Sequence, residues 1–439
     1  MQIRQISVTG LFGIFDHVIP LNIDERITII HAPNGFGKTV LLRMLDGFFN
    51  SRYSVFREIP FLSFRIGLVN GNLFEVVRID TSNEELILHF NYTSESEKQT
   101  FLFRICKDSI IDDKSSVVGS GNSINIQGSD YVTIVSNNYA QGMIVADKLL
   151  KEEPEPEPEW LQQLKVDIRV RLIESQRLLN ANRSLRYLSG NSKMLPIVSE
   201  YSDEIAELIQ NKLTEYGRIS QSLDRTFPSR VMRGQSLVQL TNGQLISRLN
   251  KLEETRFQLI EAGLLDKVDN SDFQIQDKQN IDEGTKNILS VYVEDIEKKL
   301  SVFHEIAIKL DLLRRIINGK FAYSYKEMSF DKDKGFVFKI NHNQYSSTSQ
   351  ETILPTDLSS GEQHELVLLY ELLFKVQPNS LVLIDEPELS LHVGWQTQFL
   401  KDLQEIAELA DLNILMATHS PDIIQDRWDL TVELKGIAK

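Results

Sequence analysis

Lys38 and Thr39 close a run of small residues, Ala32-Pro33-Asn34-Gly35-Phe36-Gly37-Lys38-Thr39. A lysine and a hydroxyl at the end of a glycine-bearing loop suit the holding of a phosphate chain. Gly35 and Gly37 let the backbone come close, so that N–H groups along Asn34, Gly35, Phe36 and Gly37 can wrap the phosphates. Lys38 would reach the β- and γ-phosphates, and the Thr39 hydroxyl would sit on Mg²⁺. The pattern departs from G-x-x-x-x-G-K-[ST] at its first position, where Ala32 stands. A second chemical element is Leu381-Val382-Leu383-Ile384-Asp385-Glu386-Pro387. Four apolar residues ending in two acids describe a buried strand that delivers carboxylates to a sheet edge. Asp385 would hold the Mg²⁺ shell and Glu386 would polarise an attacking water. The bland alternative, an acidic strand end in solvent, loses weight beside a phosphate loop in the same chain. Ile414-Leu415-Met416-Ala417 leads to Thr418-His419, where a polar ring could sense a γ-phosphate. Leu358-Ser359-Ser360-Gly361-Glu362-Gln363 opens an apolar helix, and hydroxyls at a helix start make another anion site.

The elements that must position these groups follow from periodicity. Ile27-Thr28-Ile29-Ile30 is a buried strand before the phosphate loop, and Val40 to Leu45 begins a helix after it. Residues 3–9 alternate, as do Leu11 to Phe15 and a short stretch with Val18-Ile19. Leu62 to Val69 and Leu73 to Val77 are joined by Asn70-Gly71, a hairpin signal, and Leu86 to Phe90 adds a strand. An antiparallel sheet beside the phosphate-binding core is therefore expected. Residues 112–142 read as a long polar loop with weak strands. The run 151–159, with alternating Pro and Glu, reads as a solvated linker. Val166 to Ile173 reads as a strand. Three helical stripes follow: Ile205 to Leu223, Leu245 to Leu259, and a long one from Leu289 to Ile317, with Pro228 and residues 267–285 between them. Phe321 to Tyr325 reads as a strand, and Met328 to Phe330 with Gly335 to Ile340 as a hairpin.

Net charge is −15 over 439 residues, which argues against a wholly basic nucleic-acid-coating surface. Cys106 is the single cysteine, so neither an internal disulfide nor a multi-cysteine zinc site can form. No apolar run approaches membrane-spanning length, and the N-terminus has no apolar signal core. The expectation is a cytoplasmic protein with no membrane partner.

Taken together, Ala32–Thr39, Leu358–Gln363, Leu381–Pro387 and Thr418–Pro421 resemble an ABC-type ATPase head of the SMC-related, OLD-like kind. The order matches: Walker A, helical insertion, signature loop, Walker B, D-loop, switch histidine. The resemblance implies an α/β P-loop ATPase head with an antiparallel β subdomain and an inserted, short coiled-coil-like helical arm. The corresponding division is an N-terminal lobe 1–177, a helical insertion 178–320 and a C-terminal lobe 321–439. It implies Mg-dependent ATP hydrolysis with Glu386 and His419 catalytic. Asn34 to Thr39 would bind ATP, while Thr39, Asp385 and the Q-loop-like Gln176 would face the metal. Ser359 and Gly361 would contact the γ-phosphate of a nucleotide held by another protomer, so that a homo-oligomer completes each site. Ser360 departs from the family's glycine, and Ser390-Leu391-His392 departs from the transporter D-loop. Many OLD-type enzymes carry a Toprim nuclease after the ATPase head; the expectation from the short stretch after His419 is a head without one. Leu172-Ile173-Glu174-Ser175-Gln176-Arg177-Leu178 and Ser222-Leu223-Asp224-Arg225-Thr226-Phe227-Pro228 also resemble stretches of the ATPase components of PARIS-, Septu- or retron-type phage-defence systems. That likeness implies a sensor or scaffold that controls a separately encoded nuclease or toxin. The competing reading is an SMC-like repair or recombination ATPase, with Arg169, Arg171, Arg177, Arg183, Arg186, Arg230 and Arg233 lining a DNA groove.

Overall fold

A computed structural model describes residues 2–80, 85–94, 98–106, 124–127, 131–134, 156–174, 197–233, 241–266, 282–340 and 352–436. The N-terminal stretch forms β1 (Ile3–Leu11), β2 (Phe15–Pro20), β3 (Ile27–His31), α1 (Lys38–Phe49) and α2 (Val55–Glu58). It continues through β4 (Ser63–Leu68), β5 (Leu73–Asp80), β6 (Glu85–Thr93), β7 (Lys98–Cys106), β8 (Ile124–Gln127) and β9 (Tyr131–Ile134). Next come α3 (Glu159–Asp167), β10 (Val170–Ile173), α4 (Ile197–Met232), α5 (Asn242–Glu261), α6 (Glu283–Leu300) and α7 (His304–Phe321). The remainder holds β11 (Lys326–Asp331), β12 (Gly335–Ile340), β13 (Thr352–Ile353), α8 (Ser360–Tyr370), β14 (Leu381–Asp385), α9 (Val393–Ala410), β15 (Asn413–Thr418), α10 (Pro421–Ile424) and β16 (Thr431–Glu433).

Two compact units result. The first comprises Met1–Arg177, Ala181–Asn191 and Val376–Lys439; the second comprises Leu178–Asn180 and Ser192–Lys375. The second break differs from the boundary expected at 320/321: residues 321–375 group with the helices. The cause is packing, since β11 lies on α7 and β12 on α4 within that unit.

In the first unit the apolar runs of β3, β14 and β15 are buried on both faces, as a covered parallel sheet requires. The strand order is β10-β14-β15-β3-β16, and every pairing in it is parallel. Asp385 stands opposite Ala417, and Thr418 opposite His31. The loop after β3, the acid pair and His419 therefore leave from the carboxyl ends of three adjacent strands, where open α/β sheets place their ligands. α1 packs on this sheet and buries Leu41, Leu42, Met44, Leu45, Phe48 and Phe49. A six-stranded antiparallel sheet of order β2-β1-β4-β5-β6-β7 shares the same core. Its β4–β5 hairpin turns at Asn70-Gly71, where Gly71 adopts φ 86, a value that glycine takes without steric cost.

Two local expectations in this unit are corrected. The stretch read as a single strand from Val166 is helix through Asp167. Leu161 and Leu164 are buried at helical spacing, the Ile168 N–H still bonds the Leu164 carbonyl, and the chain then turns extended into β10. The Pro/Glu run, expected to be solvated, is docked at its end. The Glu157 carboxylate accepts from the Tyr53 hydroxyl at 2.8 Å and from Lys165 Nζ at 2.6 Å. Of the polar stretch 112–142, β8 and β9 pair as a hairpin, and the rest lies outside the described residues.

In the second unit α4 runs through Pro228, which the sequence reading had placed between helices. A proline there removes the donor that would serve the Asp224 carbonyl, one turn back. The Thr226 hydroxyl and the Arg230 guanidinium both bond the Leu223 carbonyl in the preceding turn, and Arg230 is anchored in turn on buried Asp295. The long third stripe is two helices, α6 and α7, split by a 3-10 turn at Ser301–Phe303. Phe321 to Tyr325 is not a strand. It ends α7 and passes through a 3-10 turn to Tyr325 at φ 55, so the hairpin begins only at Lys326. β12 closes against Ser202 of α4, whose backbone oxygen would lie 1.8 Å from a Cβ on Gly335.

Candidate functional site

The strand–loop–helix β3–α1 builds the phosphate loop from local rules. Gly35 and Gly37 stand at φ 90 and 87, a region that L side chains rarely enter. A Cβ on Gly35 would meet nothing within 4 Å, whereas one on Gly37 would press 2.6 Å from Leu11 Cδ2. The first glycine therefore keeps the loop's open face clear, and the second lets it close onto β1. No side chain caps α1, and its first turn holds no acid. Its N–H groups and positive dipole end are left for an anion. Lys38 is buried, and its ammonium donates to the Ala32 carbonyl at 2.7 Å and the Pro33 carbonyl at 3.3 Å. It lies folded along the loop it would serve. Asn34 is exposed and Phe36 half-buried, with the Phe36 ring against Phe15.

One support of this loop escaped the sequence reading. His17 on β2 is buried, and its Nε2 lies 3.0 Å from the Phe36 carbonyl, to which it donates. Burial holds His17 below the ordinary histidine value, against the opposing pull of that bond. A neutral Nε2–H ring thus pins the middle of the loop. Its only sequence signal is a histidine at an inward-facing strand position.

Asp385 ends β14 as expected, and its Oδ1 accepts from the Thr39 hydroxyl at 3.0 Å. Burial raises its carboxyl above the usual aspartate value; the Thr39 bond opposes this and the Glu386 charge adds to it. One hydroxyl and one carboxylate oxygen side by side form the donor set that a hard divalent cation shares with substrate phosphates. Thr39 and Asp385 therefore fit Mg²⁺. Among the described residues no group of three or more His, Cys, Asp or Glu side chains offers an all-protein metal centre. Gln176, the third expected metal-facing residue, lies outside the described residues.

Glu386 follows in a left-handed backbone, φ 41 and ψ 60. Its N–H donates to the Ala417 carbonyl at 2.9 Å, tying it to the end of β15. His419 Nδ1 lies 3.8 Å from Glu386 Oε1 and 2.8 Å from Glu388 Oε1. The structure thus brings Lys38, Thr39, Asp385, Glu386 and His419 to one edge of a single sheet. It adds Glu388, whose signal was a third acid in Asp385-Glu386-Pro387-Glu388.

Ser359 and Gly361 belong to the second unit. Ser359 caps α8: its hydroxyl accepts from the Glu362 N–H at 3.4 Å, and Glu362 Oε2 accepts from the Ser359 N–H at 2.8 Å. Such a reciprocal box fixes a helix start. Glu362 is buried. Burial would raise its carboxyl, but the bonds from Lys326, Ser359 and Ser324 outweigh it and hold the group below the ordinary glutamate value. The exposed Ser359 hydroxyl is consequently held by an ionised, anchored partner. His392, in the D-loop-like stretch, caps α9 through Nδ1, which accepts from the Gly394 N–H at 3.2 Å.

The basic residues weighed for DNA are divided between the two units. Arg230 is paired with Asp295, while Arg177, Arg183 and Arg186 lie outside the described set. No helix among the described residues is long and apolar enough to cross a membrane.

A family model described as "AAA ATPase domain" matches residues 1–424. Among curated proteins, Protein ea59 of Escherichia phage lambda is 36% identical over 69 residues, which is 16% of this chain and 13% of that protein. The chain thus matches a small part of that relative's length. Among solved structures, the Smc head domain with an extended coiled coil bound to the C-terminal domain of ScpA, from Pyrococcus furiosus, has TM-score 0.32 and 11% identity, over 99% of this chain and 94% of that one. The SMC head domain from Thermotoga maritima has TM-score 0.34 and 10% identity, over 97% and 92%.

Proposed function

This chain belongs to the AAA ATPase domain family, and from that premise we propose that it binds and hydrolyses ATP at composite sites formed between two copies of itself. The family supports ATPase activity in general. The observation that carries the finer reading is the Thr39–Asp385 contact of 3.0 Å at the foot of an uncapped helix. A phosphate loop and a Walker-type acid are assembled there in one unit. The loop's N–H groups and Lys38 bind and orient the phosphates, so part of the barrier is met by positioning. Mg²⁺, held by Thr39 and Asp385, would neutralise phosphate charge when bound. Glu386 takes the proton of the attacking water and fixes its direction. His419 stands beside Glu386 to contact the γ-phosphate. Ser359 and Gly361 reach the γ-phosphate of a nucleotide held by a second copy.

The γ-phosphate then distinguishes two states of the assembly, since only the triphosphate joins the loop of one copy to the capped serine of the other. The output we propose is control of a separately encoded effector, a nuclease or toxin, in anti-phage defence. Its support is the resemblance of residues 172–178 and 222–228 to stretches of defence ATPases. SMC-like action on DNA is the lesser reading, given the paired Arg230 and the acidic net charge.

Single variants test the site. Lys38→Ala is expected to lose ATP binding and hydrolysis together, because the buried ammonium is its main phosphate partner. Ser359→Ala is expected to bind ATP as wild type does but to lose turnover and ATP-dependent assembly. Phosphate release, nucleotide binding and solution mass on the same preparations read both. Wild-type turnover in Ser359→Ala would contradict the composite site.

A further inference from the structure

We propose that Glu388 is the positioning residue that holds His419 with its proton on Nδ1. The inference rests on the ATPase reading only for its consequence, since its geometry lies wholly within the first unit. The Glu388 side chain is 4% exposed and sits in the 3-10 turn Pro387–Leu389. Its Oε1 accepts from the Thr418 hydroxyl at 2.8 Å and from the His419 N–H at 2.8 Å. His419 Nδ1 lies 2.8 Å from the same oxygen. A bare imidazole nitrogen and a carboxylate oxygen are both acceptors and repel at that distance, so Nδ1 carries a proton. Glu386 Oε1, at 3.8 Å, is beyond hydrogen-bond reach of that nitrogen. The buried Glu388, and not the half-buried Glu386, therefore sets the tautomer.

The surroundings hold Glu388 to the task. Thr418 Oγ1, while donating to Glu388, accepts from the Ser420 N–H at 3.0 Å. Ser420 Oγ in turn lies 2.7 Å from Gln396 Oε1 on α9, to which it donates. The loop after β15 is thus tied to the acid turn and to α9 through one chain of bonds. Glu388 Oε2 is buried with no hydrogen-bond partner. Three contacts converge on Glu388 Oε1, from the Thr418 hydroxyl, the His419 N–H and His419 Nδ1. The consequence for the site is directional. With Nδ1 committed, the neutral ring can only accept through Nε2. Donation from Nε2 to a γ-phosphate oxygen requires the imidazolium, whose charge Glu388 and Glu386 flank.

Histidine-selective ¹⁵N labelling of the full chain tests this. Long-range ¹H–¹⁵N spectra at mildly alkaline pH report the tautomer of each ring, and the His419→Asn spectrum assigns His419. Wild type is expected in the Nδ1–H form. Glu388→Leu is expected to return His419 to the Nε2–H form that free histidine prefers, and to lower kcat roughly tenfold or more with KM for ATP nearly unchanged. Glu388→Gln keeps an acceptor oxygen and is expected to restore both the Nδ1–H form and most of the turnover. Thermal melts of the two variants separate folding from positioning. A wild-type ring already in the Nε2–H form, or a folded Glu388→Leu protein still in the Nδ1–H form, would overturn the proposal. The spectra decide the matter even if the wild type fails to hydrolyse ATP, so the two failures are distinguishable.

Discussion

Glu386→Gln is expected to keep ATP bound while cutting hydrolysis by roughly two to three orders of magnitude. The substitution preserves size and removes the proton acceptor. Several features single out this carboxylate. Its backbone sits at φ 41 and ψ 60, a left-handed conformation that costs a non-glycine residue about 1–3 kcal/mol and persists only where the surroundings impose it. Those surroundings are the Ala417 carbonyl, which accepts from its N–H, and the Leu389 N–H, which donates to its carbonyl at 3.2 Å. At 23% exposure the carboxylate can meet water, whereas Glu388 at 4% cannot do so as readily. Phosphate release and retained nucleotide, measured on one sample, report the two halves of the expectation. Hydrolysis at the wild-type rate would move the base elsewhere.

Lys320→Met is expected to destabilise the second unit by about 3–5 kcal/mol, the usual consequence of removing one member of a buried ion pair. Lys320 Nζ bonds the Glu365 carboxylate between α7 and α8, and the two side chains are 1% and 0% exposed. Methionine fills similar volume but leaves the Glu365 charge buried and uncompensated, with Oε2 already lacking a hydrogen-bond partner. The thermal midpoint should fall by roughly 10 °C. The double variant Lys320→Met/Glu365→Leu should recover most of that loss, because an apolar pair of similar volume carries no desolvation penalty. Equal midpoints for wild type and Lys320→Met would show that the pair does not hold the two helices together. The same helix α8 begins at the Ser359 cap, so a loosened α8 should also weaken ATP-dependent assembly.

Much of the first unit was legible from its apolar runs. Leu381–Ile384 and Ile414–Ala417 announce buried parallel strands, and each leads into a candidate site residue. Asn70-Gly71 announced its hairpin for a local steric reason. What periodicity could not show was where a local pattern yields to packing. Leu161 and Leu164 hold a helix up to the start of β10 in a stretch rich in β-branched residues. Pro228 stays inside α4, where a proline marks a break only in a local reading of the chain. The candidate site residues are readable as motifs because the chemistry proposed for them would constrain residue type at fixed spacing. Their supports are not, because His17 and Glu388 act through tertiary contacts that leave no spacing signature.

The central claim is that one copy supplies the phosphate loop and another supplies Ser359. Hydrolysis by a mixture of Lys38→Ala and Ser359→Ala proteins tests it most directly. Each variant alone is expected to be inactive, since each homo-oligomer lacks one half of every site. Mixed assemblies contain one intact pairing, Lys38 of the Ser359→Ala copy with Ser359 of the Lys38→Ala copy, so activity should return on mixing. A mixture as inactive as its components, although mass measurement shows that the two copies have exchanged, would contradict the composite site.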